Sequence, residues 1–334
     1  MRAGGTKQET RVERLTRRAV CVLMATTPLA GRAAGPYPDQ PVRLVVPFPP
    51  GGGADSIARG IVAKASQLLG QNIIVLNKPG AGGNVGAAEV ARSAPDGYTL
   101  LYGHNGTHGI NPALYEKTGY DPLKDFVPIA RFTRVPFMLV AHPSVPATTV
   151  KEFVTYLKSQ PGKLNFASAG NGLTSHLAGV MFRNGTASDF VIVPYKGAGP
   201  ALSALLAGEA QFTIDSVINV TPQIRAGRLK ALAVMSAQRV PMAPDVPTIA
   251  EAGLNNLEIE GSDGVYAPTG TPRAIVERLN SVFRAALTDK ETNDNLTSRG
   301  VYPVPGSPED LARHIATEYP MWARLVKDSG AKIE

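Results

Sequence analysis

The sequence predicts an α/β protein of two mainly parallel sheets, each flanked by helices and joined by two crossover strands. Three observations carry this. Apolar runs of strand length alternate with stretches of helical periodicity. Nearly every such strand runs into a glycine-rich turn before the next helix. Two longer extended segments, 127–141 and 257–267, flank the middle of the chain, where it must pass between sheets. The expected organisation is a first domain of residues 37–138 and 260–334 wrapped around an inserted second domain, 139–259.

The elements follow in order. A strand at 42–47 leads into a helix over 55–69, with Ile57, Ile61, Ala65 and Leu68 on one face. A strand at 72–76 leads through Lys78-Pro-Gly-Ala-Gly-Gly into a helix over 84–92, and 98–102 leads into Gly103-His-Asn-Gly-Thr107. This βαβαβ order implies a parallel sheet with its turns at the carboxyl ends of the strands. In the second set a helix over 149–159 precedes the strand 163–167, the turn 168–172 and a helix carrying Leu173, Leu177, Val180 and Met181. A strand at 189–194 follows, then Tyr195-Lys-Gly-Ala-Gly199, with Pro200 suited to a first helical turn and Gly208 to a helix end. Strands 211–214 and 229–235 are expected to complete a second parallel sheet. After 267 the chain reads as helices over 272–287, 290–298 and 308–327.

The N-terminus reads as a signal peptide over residues 1–33. Basic residues crowd positions 1–18, the apolar run 19–30 is too short for a permanent span, and Gly31-Arg32-Ala33 offers a cleavage site after Ala33. Thr16-Arg17-Arg18 raises a twin-arginine route beside the general one. Cys21 lacks the small residues before it that a lipoprotein signal needs. The expected location is the periplasm.

The leader also explains the charge. The whole chain carries +7; residues 1–33 hold seven basic and two acidic residues, so the remainder carries +2. The basicity is therefore no sign of nucleic acid binding, and no Lys/Arg stripe with interleaved aromatics occurs later. Cys21 is the only cysteine, which excludes disulfides, a thiol nucleophile and a thiolate metal site beyond the leader.

Catalytic motifs are weak. There is no phosphate-binding G-x-x-x-x-G-K-[ST]. Phe166-Ala-Ser168-Ala-Gly170 resembles a nucleophile elbow with its first glycine replaced, leaving a serine hydrolase as the rival from another class. His104 and His108 sit among glycines with no carboxylate beside them, so no metal is expected. His176 reads as a residue that caps or packs at a helix start. The glycine turns carry more weight. Gly51–Gly53, Gly80–Gly83, Gly170–Gly172 and Gly197–Gly199 fall on the side where α/β sheets bind ligands, and helix N-termini there offer unpaired N–H groups. With Lys196 the only cation inside these turns, backbone amides suit a small carboxylate better than a polyphosphate. Asp55 is expected to cap its own helix. Asp215 is read two ways, as a loop-ordering group or as an acceptor for a ligand donor.

These residues resemble the periplasmic solute receptors of tripartite tricarboxylate transporters, also called Bug receptors. The motifs are Val46-Pro-Phe-Pro-Pro-Gly-Gly-Gly-Ala-Asp55, Asn77-Lys-Pro-Gly-Ala-Gly-Gly-Asn-Val-Gly86, Ala94-Pro-Asp-Gly-Tyr-Thr-Leu100, Ser175-His-Leu-Ala-Gly179, Val193-Pro-Tyr-Lys-Gly197 and Pro244-Asp-Val-Pro-Thr-Ile-Ala-Glu-Ala-Gly253. The resemblance implies a two-domain, type II-like periplasmic binding protein that closes about a hinge, performs no chemistry and needs no cofactor. It implies capture of a small carboxylate for integral membrane transporter subunits, with a receptor feeding a sensor the nearer rival; separately, the mature chain is expected to be a monomer. Its implied first rim is Phe48, Pro50, Gly51, Gly52, Gly53 and Asp55 with Gly82, Gly83 and Asn84, joined by Asn105 and Thr107 of the third turn. The implied second rim is Ser168, Ala169, Gly170, Thr174, Ser175, His176, Tyr195, Lys196 and Gly197, with Asp215 nearby. Two departures stand out. Ala204 replaces an acid that is frequent in the family, and Ser262-Asp263 replaces Trp and an aromatic in the returning crossover. The second departure makes Asp263 a candidate for the cleft wall.

Overall fold

The computed structural model describes Met1 and residues 37–333. The expected leader, its cleavage near Ala33 and Cys21 lie outside the described residues.

Val42–Val46 forms β1, α1 spans Gly53–Leu69, β2 Ile73–Asn77, α2 Asn84–Ala91 and β3 Thr99–His104. β1 pairs in parallel with β2 and β3, so the βαβαβ reading holds. A π turn, Gly106–Ile110, and the short α3, Asn111–Leu114, lead to β4, Phe126–Ala141. The next elements are α4 (Val150–Ser159), β5 (Asn165–Ser168), α5 (Thr174–Thr186), β6 (Val191–Pro194), α6 (Ala198–Leu206), β7 (Phe212–Ser216), α7 (Val217–Arg225) and β8 (Lys230–Val234). The chain returns through β9 (Glu260–Pro268) and ends with α8 (Arg273–Thr288), α9 (Lys290–Ser298), β10 (Tyr302–Pro303) and α10 (Pro308–Ser329).

The two expected sheets are joined through one shared strand into a continuous order. That order is β2-β1-β3-β9-β4-β7-β5-β6, with β8 and β10 also on β4. β4 is the reason. Its 16 residues pair antiparallel with β9 along the first part and with β7 and β8 along the last. β8 therefore does not extend a parallel ladder, as the sequence suggested. β4 lies between it and β7, running the opposite way. A crossover long enough to fill both edges satisfies its own backbone groups in both lobes.

Local sequence explains the helix ends. Thr149 and Glu152 form a reciprocal capping box at α4, and Ser307 and Asp310 form another at α10, where Pro308 takes the first turn. α1 begins two residues before the expected start, with Gly52 rather than Asp55 at its N-cap. Its buried stripe is Ile57, Ala58, Ile61, Val62, Ala65 and Leu69; Leu68, in the last turn at the margin of that stripe, is exposed.

The second lobe is filled by phenylalanines. The ring of Phe212 lies 4.9 Å from Phe153, 5.2 Å from Phe166 and 4.8 Å from Phe190. The edge-on geometry adds to the burial of each ring. α10 serves both lobes. Leu311 near its start packs with Val45, Leu101 and Tyr266, whereas Trp322, Leu325 and Val326 join the core of the second lobe. A boundary that assigns all of 260–334 to the first lobe thus passes over a helix whose second half belongs to both.

Trp322 is fully buried and its Nε1 donates to Glu318 Oε2 at 3.3 Å. Trp322→Ala should lower unfolding free energy by about 3–5 kcal/mol through the cavity it leaves. Urea unfolding checks this, and a loss below about 1 kcal/mol would show that α10 does not hold the lobes.

Candidate functional site

The site is built on the carboxyl edge of the sheet. β1 ends at Val46 and the chain turns through Phe48–Gly52 into α1. The first helical bond of α1 runs from Ser56 N–H to Gly52 C=O. The N–H groups of Gly53, Ala54 and Asp55 therefore have no helical acceptor and stand at the positive end of a 17-residue helix. Gly51 adopts φ +79°, a left-handed turn that favours glycine.

Asp55 holds this turn from beneath. Its carboxylate accepts from Gly51 N–H at 2.9 Å, from Asn77 Nδ2 at 2.9 Å and from Arg59 Nε at 3.0 Å. The Arg59 hydrogen bond, with those of Gly51 and Asn77, outweighs burial and holds its pKa down at about 2. Asp55 is thus a strut that fixes the turn, one residue type serving a purpose other than the capping expected of it.

The second turn offers fewer donors than expected. The N–H groups of Gly83 and Val85 already bond Gly80 C=O, and that of Asn84 bonds Ala81 C=O. The Asn84 side chain is buried and accepts from Asn111 Nδ2 at 2.7 Å and Tyr120 Oη at 3.1 Å. In the third turn Thr107 is fully buried; its hydroxyl donates to His104 C=O and accepts from His104 N–H. Asn84 Oδ1, the Gly83 N–H and the Thr107 hydroxyl are therefore spent within the rim itself. His104, by contrast, stacks on Phe48 with ring centroids 4.5 Å apart. Burial lowers its pKa to about 4, so this wall is a neutral imidazole.

The opposite rim follows the same pattern. The first helical bond of α5 joins Leu177 N–H to Leu173 C=O, which leaves the N–H groups of Thr174, Ser175 and His176 without helical acceptors. At α6 the corresponding bond joins Ala201 to Gly197, leaving those of Ala198 and Gly199. Several expected side chains are used internally. Ser175 Oγ accepts from Ala169 N–H at 2.9 Å, and His176 Nδ1 accepts from Gly172 N–H at 3.3 Å. Burial lowers the His176 pKa, which keeps that ring an acceptor. Gly197 N–H donates to Ala169 C=O at 2.8 Å and Tyr195 N–H to Ser168 C=O at 2.9 Å, so the Gly170 and Tyr195 turns are locked together. Lys196 is exposed on that turn. Ser168 is fully buried and its Oγ has no hydrogen-bond partner, which removes the geometry a nucleophile needs.

Asp215 is buried at the end of β7. Its Oδ1 accepts from Ser216 N–H at 2.7 Å and Asn219 Nδ2 at 3.2 Å, and burial raises its pKa to about 6. Of its two readings, the loop-ordering one has visible partners. Among the described residues no group of three or more His, Cys, Asp and Glu is placed to hold a metal ion.

The two rims meet directly. Asn105 Nδ2 donates to Thr174 Oγ1 at 3.0 Å, and the side chain of Leu114 lies against Gly172. Sequence reading missed these contacts, along with the Phe48–His104 stack and Arg299, whose Nη2 donates to Ser56 Oγ at 2.7 Å beside the start of α1. No local signal reports them, because the partners are 56 to 243 residues apart.

Helix N-termini of two lobes, gathered at the carboxyl ends of their strands, fit a solute-binding protein. Comparisons with known proteins agree. The model of the tripartite tricarboxylate transporter family receptor, TctC, matches residues 57–331. Protein BugT of Bordetella pertussis is 35% identical over 315 residues, covering 94% of this chain and 97% of that one. A Rhodopseudomonas palustris protein solved with adipate is 38% identical, with a TM-score of 0.77, covering 89% of this chain and 100% of its own. MatC from the same organism, solved with bound malate, is 39% identical, with a TM-score of 0.72, covering 87% of this chain and 100% of its own. The chain belongs to the TctC family, whose members are periplasmic solute receptors and not enzymes. Its fold is the two-domain α/β binding-protein fold, of type II-like character.

Two substitutions separate grip from scaffold. Gly52 has φ −75°, and a Cβ there meets only Pro49 O at 3.5 Å, so Gly52→Val should fold normally and block approach to the α1 amides. Gly82 has φ +64°, and a Cβ would lie 2.7 Å from Tyr115 Oη, so Gly82→Val should lose stability as well. Thermal unfolding and ligand calorimetry on both variants distinguish the two. Asp55→Asn should cost about 1.5–3 kcal/mol at neutral pH. Because the folded pKa is depressed, this stabilisation is present above pH ~4 and is lost as pH falls towards ~2. Urea unfolding across that window should show the wild-type advantage shrinking with acid.

Proposed function

We propose that this protein captures a small carboxylate between its two lobes and delivers it to membrane transporter subunits. The observation that supports the reading is a pair of helix starts, α1 in one lobe and α5 in the other, each with N–H groups that lack a helical acceptor, in lobes whose turns meet through the Asn105–Thr174 bond. Such ends hold anions through backbone donors and the helix dipole. The adipate and malate bound by the two similar structures are of the matching chemical class.

In this reading residues 37–138 and 260–334 form the first domain and 139–259 the second, with the second half of α10 packed against both. The hinge is the stretch where Val135–Pro136 of β4 pairs with Glu260–Gly261 of β9. Two strands can bend together there while each lobe moves as a body. The protein works as a monomer, exported with its leader removed. The ligand grip is mainly backbone amide, from Gly52, Gly53 and Thr174–His176, with Tyr195 and the exposed Lys196 at the margin.

Native mass spectrometry of the purified protein should find a small co-purifying acid, and adipate and malate serve as calorimetric probes. A bound acid at about 100 times its Kd should raise stability by roughly 2.7 kcal/mol. Small-angle scattering with that acid should show a radius of gyration no larger than that of the free protein. Asn105→Ala should weaken binding about fivefold by removing one lobe-to-lobe hydrogen bond of about 1 kcal/mol. Failure of every mono- and dicarboxylate tested to bind would sink the reading.

A further inference from the structure

A carboxylate stands on the floor between the turns. Asp263 of β9 lies opposite His104 of β3 on one side and Thr133 of β4 on the other. Directly opposed residues of antiparallel strands project from the same face. Asp263 thus shares a face with His104, whose ring stacks on Phe48 at the start of the turn into α1. The row Phe48, His104, Asp263 runs from the turn just past the end of β1 across β3 and β9.

The carboxylate has one well-formed hydrogen bond. Thr133 Oγ1 donates to Oδ2 at 2.7 Å. Oδ1 has no hydrogen bond of comparable geometry and is not enclosed, and the residue keeps partial exposure. No ion pair neutralises Asp263 among the described residues. Arg131 of β4 acts on it only at a distance, and the buried Tyr102 hydroxyl lies beside it as a weak donor that helps to hold its pKa down. Burial raises the Asp263 pKa to about 6, which leaves it mostly ionised at neutral pH. An ionised group with an open oxygen in a desolvated place favours a donor and repels a second anion.

We infer that Asp263 sets the specificity of the cleft, selecting carboxylates whose far end carries an amine or amide donor and disfavouring plain dicarboxylates. This rests on the cleft reading proposed above. A ligand gripped by its carboxylate at α1 would present its other end to the floor. There a second carboxylate meets negative charge, whereas an ammonium or amide meets the open Oδ1.

Matched probes test this. Adipate, adipamate and 6-aminohexanoate share one chain length and differ at one end, as do succinate, succinamate and 4-aminobutyrate. Calorimetry at neutral pH should show the wild type binding the amine or amide member of a series at least tenfold tighter than the dicarboxylate. Asp263→Asn, which keeps an acceptor for Thr133, should cut that ratio tenfold or more, and Asp263→Glu should retain the preference. A wild type that prefers the dicarboxylate overturns the inference without any variant. So does an unchanged ratio in folded Asp263→Asn, while in both cases the cleft reading stands. A wild type that binds none of the six overturns the cleft reading and this inference with it.

Discussion

The antiparallel pairing of β4 with β9 is the constraint on which the rest depends. These two strands carry the chain out of the first lobe and back, and their ladder runs from Phe126–Pro268 to Pro136–Glu260. Beyond that point β4 continues into the second lobe between β7 and β8. One strand therefore fixes the relative direction of both parallel ladders, and with it the side on which both sets of turns emerge. Without that shared strand, glycine turns on two sheets would have no reason to face one another.

The turns are stiff because their side chains are spent on them. Asp55, Asn84, Thr107, Ser175 and His176 all look like ligand residues by type, yet each bonds a neighbouring backbone or side-chain group. What this leaves for a solute is backbone N–H at helix starts, held in place before any ligand arrives. Preorganised donors bind an anion without first having to be ordered. The cost is a set of buried polar groups that must stay satisfied, and the neutral imidazoles of His104 and His176 meet that condition by remaining unprotonated.

Most of the elements could be read along the chain because their determinants are local. Periodicity marked α1 and α5, and apolar runs before glycine marked β1, β3 and β5; the capping pairs of α4 and α10 are equally local, though the reading did not use them. The expected crossovers at 127–141 and 257–267 correspond to β4 and β9. The reading went wrong where a partner distant in sequence decides the outcome. β8 was given to a parallel ladder because nothing within it reports that β4 is its neighbour. Leu68 was given to a buried face that the packing of α1 leaves at its edge. Asp55 was given a cap because its distance to Gly51 N–H depends on how the turn folds.

The sequence by itself determined the α/β class, the family, and the glycine turns as the place to look, since each rests on residue order and short-range geometry. Only the tertiary structure decided which groups of those turns are spent on partners within the protein. Asn105 reaches Thr174 across 69 residues, and Asp263 comes beside His104 and Thr133 across more than a hundred. Whether a polar atom is spent or available depends on what stands opposite it, and that is set by sheet register and lobe packing rather than by any neighbour in the chain.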